Sequence, residues 1–106
     1  MAARLVSLDG DAPIPIDRVL IVVGRHQRCD ARLDSPHVSR RHCCLLRDGD
    51  ELVVRDLGSS NGTRINGRRV EEGRLGPGDE LAIAWTRFRL EGDSPAPAGG
   101  ERSRQS

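Results

Sequence analysis

Six short runs hold most of the chain's apolar residues, and none keeps a helical period for three turns. They are Arg4–Leu8, Arg18–Val23, His42–Leu46, Glu51–Leu57, Glu80–Ala84 and Thr86–Glu91. Where alternation is readable its period is two: Leu52 and Val54 share a face with Asp56, against Val53 and Arg55, and Cys43 and Leu45 share one against His42 and Cys44. Such a period turns successive side chains to opposite faces, so these runs are expected to be half-buried strands. Asn66-Gly67, between Arg64-Ile65 and Arg68-Val70, suits a type I′ hairpin, whose two central residues need positive φ. Gly76-Pro77-Gly78-Asp79 marks another turn, leading into Glu80-Leu81. Many closely spaced short strands, with no helices to cover a parallel sheet, predict an all-β antiparallel sandwich.

A length of 106 residues suits one domain with a real core. The folded unit is expected over residues 1–91. From Gly92 the composition changes to Gly, Ser, Pro, Ala and charge, as in Ser94-Pro95-Ala96-Pro97, so 92–106 is expected to be a disordered tail. Trp85 and Phe88 are the only aromatic residues, which leaves the core to Leu, Val, Ile, Ala and Cys. All 17 basic residues are arginine, yet 16 acidic residues bring the net charge to +1. That balance argues against a general nucleic-acid binder, and two aromatics make no stacking platform for bases. No apolar run reaches membrane-spanning length and the first residues do not read as a signal peptide, so a cytoplasmic location is expected. Cys29, Cys43 and Cys44 are odd in number and form no CxxC pair; they are expected to be free thiols filling small apolar spaces in a reducing compartment. A lysine-free sequence rich in arginine and alanine points to a bacterial source.

Candidate chemistry is concentrated in three places, each beside a strand-like run. Gly24-Arg25 ends one, Ser39-Arg40-Arg41-His42 precedes another, and Asp56-Leu57-Gly58-Ser59-Ser60-Asn61-Gly62-Thr63 follows a third. Together they supply an arginine, serines, an asparagine and turn glycines on separate loops, which is the makeup of an anion cradle. In order and spacing these segments, with Ile65-Asn66-Gly67 and Pro77-Gly78-Asp79-Glu80-Leu81, resemble the signature of the forkhead-associated (FHA) domain over roughly residues 3 to 91. The resemblance implies a sandwich of about eleven strands whose loops at one end bind phosphothreonine in another protein.

Elementary chemistry is compatible with that implication. Phosphothreonine carries about −1.5 to −2 charge at pH 7 and three acceptor oxygens, so its reader needs fixed donors that keep their protons. Arginine offers a planar fork of donors and stays charged at physiological pH. By similarity to the family, Arg25, the Ser39 hydroxyl and a donor on Arg40 contact the phosphate, while Ser60 and Asn61 engage the phosphate side and the peptide backbone. Arg40 departs from the neutral amide often found in the family at its place. Gly24 and Gly62 are expected to serve backbone geometry, and His42 to hydrogen-bond the neighbouring loop and hold Ser39. The family reads specificity mainly at the third residue after the phosphothreonine; His37 and Trp85 are the candidates by position. An indole favours an apolar residue there, and a protonated His37 an acidic one. At pH 7.5 the apolar preference is expected.

Other readings compete with this one. Gly58-Ser59-Ser60-Asn61-Gly62 matches the G-x-S-x-G nucleophile elbow, and Ser39, His42 and Asp56 supply the residue types of a triad. The elbow, however, needs a strand-to-helix turn in a large α/β sheet, so no enzyme is expected. His26 and Cys29 with His37 or His42 make only one ligand pair where structural zinc sites bring two, and neither metal nor cofactor is expected. An FHA-like scaffold that binds folded partners without phosphate is the alternative function. Retention of Arg25, Ser39 and Asn61 together favours the phosphate-dependent mode. The expected partner is a threonine-phosphorylated protein in trans, such as a Ser/Thr kinase or its substrate, with neither nucleic acid nor membrane involved.

Overall fold

A computed structural model describes residues 3–92 and contains eleven strands: β1 (Ala3–Ser7), β2 (Ile14–Ile16), β3 (Leu20–Gly24), β4 (Ala31–Arg32), β5 (Cys43–Asp48), β6 (Glu51–Asp56), β7 (Thr63–Ile65), β8 (Arg68–Val70), β9 (Glu72–Leu75), β10 (Glu80–Ile83) and β11 (Thr86–Glu91). They form a six-stranded sheet, β2-β1-β11-β10-β7-β8, and a five-stranded one, β4-β3-β5-β6-β9. The all-β sandwich expected from the alternation is therefore what the chain forms. The expected tail lies outside the described residues, apart from Gly92. Among the described residues no helix is long and apolar enough to cross a membrane.

Five strands have no counterpart among the apolar runs; β7 and β8 are the arms of the expected Asn66-Gly67 hairpin, and β2, β4 and β9 match no expected element. In β2, Ile14 and Ile16 are buried around exposed Pro15. Proline cannot donate to a ladder, and β2 tolerates it because it is an edge strand. β4 has only two residues, and β9 buries Leu75 alone among hydrophobic side chains, so neither shows alternation. β4 also departs from the antiparallel expectation, since it pairs with β3 in parallel through Val23↔Ala31 and Gly24↔Arg32.

The alternation carried by β5 and β6 is the one that faces the core. Cys43 and Leu45 point inward, as do Leu52 and Val54, and Leu45 lies opposite Val54. They meet Leu5, Leu81, Ile83, Phe88 and Leu90 of the other sheet in one hydrophobic core. Only Cys43 of the three cysteines belongs to this core; Cys29 and Cys44 are half-buried, which corrects the expectation that all three fill apolar space. Asn66 and Gly67 both take positive φ, 50° and 83°, which gives the β7–β8 hairpin its tight turn.

Register places four connections at one end. Val23 pairs with Cys43 and Cys43 with Asp56, so the end of β3, the start of β5 and the end of β6 lie together. Ile83 pairs with both Thr63 and Thr86, which brings the start of β7 and the β10–β11 turn to a common end of the other sheet.

Phe88 has no exposed surface and lies opposite Leu81. Phe88→Ala is expected to lower unfolding free energy by about 3–5 kcal/mol, because the lost transfer energy is joined by a cavity. Urea denaturation measures this, and a loss under about 1 kcal/mol would contradict Phe88's place in the core.

Candidate functional site

Three loops are held against one another by backbone bonds before any side chain is considered. The Arg25 N–H donates to the Ser39 carbonyl at 2.9 Å and the His26 N–H to the Arg40 carbonyl at 3.1 Å, which ties the β3–β4 loop to the β4–β5 loop. Gly24 is needed for that approach. A Cβ there would collide with the Arg40 carbonyl, so this glycine answers to close packing rather than to the turn geometry expected of it. Gly62 meets both demands: its φ is +87°, and a Cβ would lie 2.8 Å from Arg69 Nε.

His42 is fully buried and connects the second loop to the third. Its Nδ1 accepts from the Ser39 N–H at 3.1 Å, so the proton sits on Nε2, which donates to the Gly62 carbonyl at 2.8 Å. The same carbonyl accepts from the Ala84 N–H at 3.1 Å, which brings in the β10–β11 turn. Removing the ring leaves buried partners unpaired. His42→Ala is expected to cost about 2–4 kcal/mol of stability, read by thermal denaturation, with the Ser39 and Gly62 amide resonances shifting most. An unchanged melting temperature would contradict the bridge.

Asp56 organises the third loop, a role that the sequence reading did not give it. Its Oδ2 accepts from the Gly58 and Ser59 N–H groups, each at 2.9 Å; its Oδ1 accepts from the Ser59 hydroxyl and, at 2.7 Å, from the Thr63 hydroxyl. Ser59 Oγ in turn accepts from the Gly62 N–H at 3.0 Å. The spacing was the available signal, because an aspartate two and three residues before turn N–H groups is the pattern of an Asx turn. Partial burial would raise the Asp56 pKa, but these hydrogen bonds outweigh it and hold the carboxyl below the usual carboxylate value.

Three of the five expected site residues, Arg25, Ser39 and Asn61, have one side-chain polar group engaged in the frame and another left over. Arg25 Nε donates to the Val38 carbonyl at 3.1 Å, and no bond within the described residues engages its Nη groups. Ser39 Oγ accepts from the Ser60 N–H at 3.1 Å, which leaves its own proton to give. Asn61 Nδ2 donates to the His37 carbonyl at 2.7 Å, which leaves Oδ1 and the second amide proton. These residues, with His37, Arg40, Arg41 and Ser60, line an open depression of about 390 Å³. A better enclosed groove of about 340 Å³ at the β2 and β4 edges contains none of them. Chemistry, not enclosure, identifies the candidate site.

Charge is distributed unevenly around it. Arg4, Arg18, Arg32, Arg55, Arg74 and Arg87 each have a carboxylate within 4 Å. Among the described residues Arg25, Arg28, Arg40, Arg41, Arg47, Arg64, Arg68, Arg69 and Arg89 have none. The first four belong to the two loops around Ser39; Arg64 and Arg69 touch or border the third loop. Six of these nine uncompensated arginines thus lie in or beside the site loops, while Arg47, Arg68 and Arg89 sit in β5, β8 and β11.

The other chemistries are not assembled. Ser39 meets His42 through its backbone N–H, and Asp56 is occupied by its own loop. His26 Nδ1 accepts from the Arg28 N–H, Cys29 Sγ donates to the Arg40 carbonyl, and no group of three or more potential metal ligands occurs among the described residues.

An eleven-stranded sandwich with these loops gathered at one end is the architecture of an FHA domain. The FHA domain model matches residues 21–84, and the chain belongs to that family. It is 41% identical over 75 residues to the oxoglutarate dehydrogenase inhibitor of Corynebacterium jeikeium (strain K411), covering 71% of this chain and 51% of that protein. The chain spans about half the length of the curated bacterial relatives it matches. Mycobacterium tuberculosis EmbR, solved in complex with a low affinity phosphopeptide, aligns with TM-score 0.79 at 30% identity over 85% of this chain and 24% of that one. An FHA structure described for phosphothreonine-dependent interactions gives TM-score 0.79 at 29% identity over 87% of this chain and 97% of that one.

A depressed Asp56 pKa stabilises the fold only while the carboxylate is charged. The contribution is complete above the ordinary carboxylate pKa of about 3.9 and is lost as pH falls through the lower folded value. The stability gap between wild type and Asp56→Asn is therefore expected to be widest above pH 4 and to shrink in acid. Denaturant titrations across that range check it, and a gap that widens in acid would refute the assignment.

Proposed function

We propose that this domain is a binding module that recognises phosphothreonine in a partner protein, as an adaptor in Ser/Thr kinase signalling. One observation carries the reading: Arg25, Ser39 and Asn61 each reach the same depression with an unspent polar group, beside Arg40 and Arg41, which have no carboxylate within 4 Å among the described residues. The Arg25 fork and the Ser39 hydroxyl proton suit the phosphate, with Arg40 beside them. Ser60 and Asn61 suit the peptide backbone. The phosphopeptide complex named for EmbR and the phosphothreonine-dependent interactions named for the second FHA structure support the same ligand class. The folded module is assigned to residues 1–91 on this reading and the chain is not an enzyme. A cytoplasmic setting, where kinases and their substrates meet, follows from that role.

The sequence's two threonines are poorly placed to be the ligand. Thr63 is buried with its hydroxyl on Asp56, and Thr86 begins β11. Neither of these two threonines is therefore the phosphothreonine that the site reads.

Charge-assisted bonds contribute roughly 1.5–3 kcal/mol each, so a few of them, less ordering costs, give affinity near micromolar. The chain is expected to bind a phosphothreonine peptide and not its unphosphorylated twin in calorimetry. Arg25→Ala is expected to weaken binding about 10- to 150-fold while costing under about 1.5 kcal/mol of stability, the worth of its bond to Val38. Equal affinity for the two peptides would refute the phosphate-dependent reading and favour a phosphate-independent scaffold.

A further inference from the structure

Arg64, like Arg25, has its guanidinium held in place, but it alone of the unpaired arginines near the site lies over an aromatic ring. The guanidinium carbon stands 5.8 Å from the Trp85 ring centroid, and Nη1 donates to the Asn61 carbonyl at 3.5 Å. Trp85 lies 6.1 Å from the His37 ring with the planes at 54°. Asn61 is bonded to both ends of this row, since its side-chain amide donates to the His37 carbonyl.

Trp85 is not there for the core. It is 58% exposed, on a turn whose Ala84 takes φ of 55°. An indole in that position holds a cation against its face, and a guanidinium fixed in advance loses less entropy when it meets an anion. No carboxylate of the described residues lies within 4 Å of Arg64 to satisfy it.

Resting on the phosphothreonine reading above, we propose that Arg64, backed by Trp85 and His37, is a second anion site for the same peptide. It takes a carboxylate or a second phosphorylated side chain carried near the phosphothreonine. This reverses the apolar preference expected from Trp85 alone, because a cation already occupies the ring surface that an apolar side chain would cover.

The test uses phosphothreonine peptides of otherwise neutral sequence, with Asp, phosphoserine, Gln or Leu placed singly at each flanking position, measured by fluorescence anisotropy. At one position Asp is expected to bind about fivefold tighter than Gln, phosphoserine at least as tightly as Asp, and Leu no better than Gln. The preference is expected to fade at high salt. In Arg64→Gln the Asp and Gln peptides are expected to bind alike. A merely structural Arg64 would weaken both and leave their ratio unchanged. Equal binding of Asp and Gln at every position, a preference for Leu, or a preference that survives Arg64→Gln overturns the second site while leaving phosphothreonine recognition standing. If Arg64→Gln does not fold, the wild-type series decides together with Trp85→Ala, which is expected to reduce the ratio. Failure of every phosphorylated peptide to bind would overturn the phosphothreonine reading and the second site with it.

Discussion

The loop end of this molecule depends on one buried imidazole. His42 sits where the two sheets come together, and each of its polar groups reaches a different segment: its N–H donates to the Val23 carbonyl, its carbonyl accepts from Leu57, and its ring joins Ser39 to Gly62. A buried imidazole without partners is expensive, so the arrangement is close to all-or-none. Once the ring is satisfied, the second and third loops have little freedom relative to each other. Asp56 applies the same logic within the third loop, where its carboxylate gathers turn N–H groups and hydroxyls that would otherwise compete for water.

Such a frame suits recognition because ordering is completed during folding. Arg25 and Asn61 have exposed or half-buried side chains that would lose rotamer freedom on meeting a ligand. Here each is anchored by a bond to a backbone carbonyl, of Val38 and His37 respectively, so less of that loss falls on binding. The Ser39 hydroxyl is likewise oriented by the Ser60 N–H. The free ends of these groups meet a region rich in uncompensated arginines, whereas Arg55 and Arg74, on strands away from it, are matched by carboxylates such as Glu72 and Asp48. Net charge alone concealed this division, because a sum near zero carries no position.

Residues in the chain itself determined much of the rest. Alternation at Cys43–Leu45 and Leu52–Val54 chose the buried faces, because a strand's side chains can only alternate. Asn66-Gly67 dictated its turn through the φ values these residues tolerate, and the ordered motifs from Gly24-Arg25 to Pro77-Gly78-Asp79 carried the family. Contacts between distant segments lay beyond such reading. β2, β4 and β9 are too short or too polar to show a period and form because a neighbouring edge accepts them. Gly24 needs its missing side chain because a carbonyl sixteen positions later presses on it, a fact of the fold and not of local φ. Trp85 offered an apolar surface by composition, and only the approach of Arg64 from another strand turned it into a support for a cation. Local stereochemistry is encoded within a few residues, whereas which charges remain unpaired, and what covers an aromatic face, is decided when separate loops pack together.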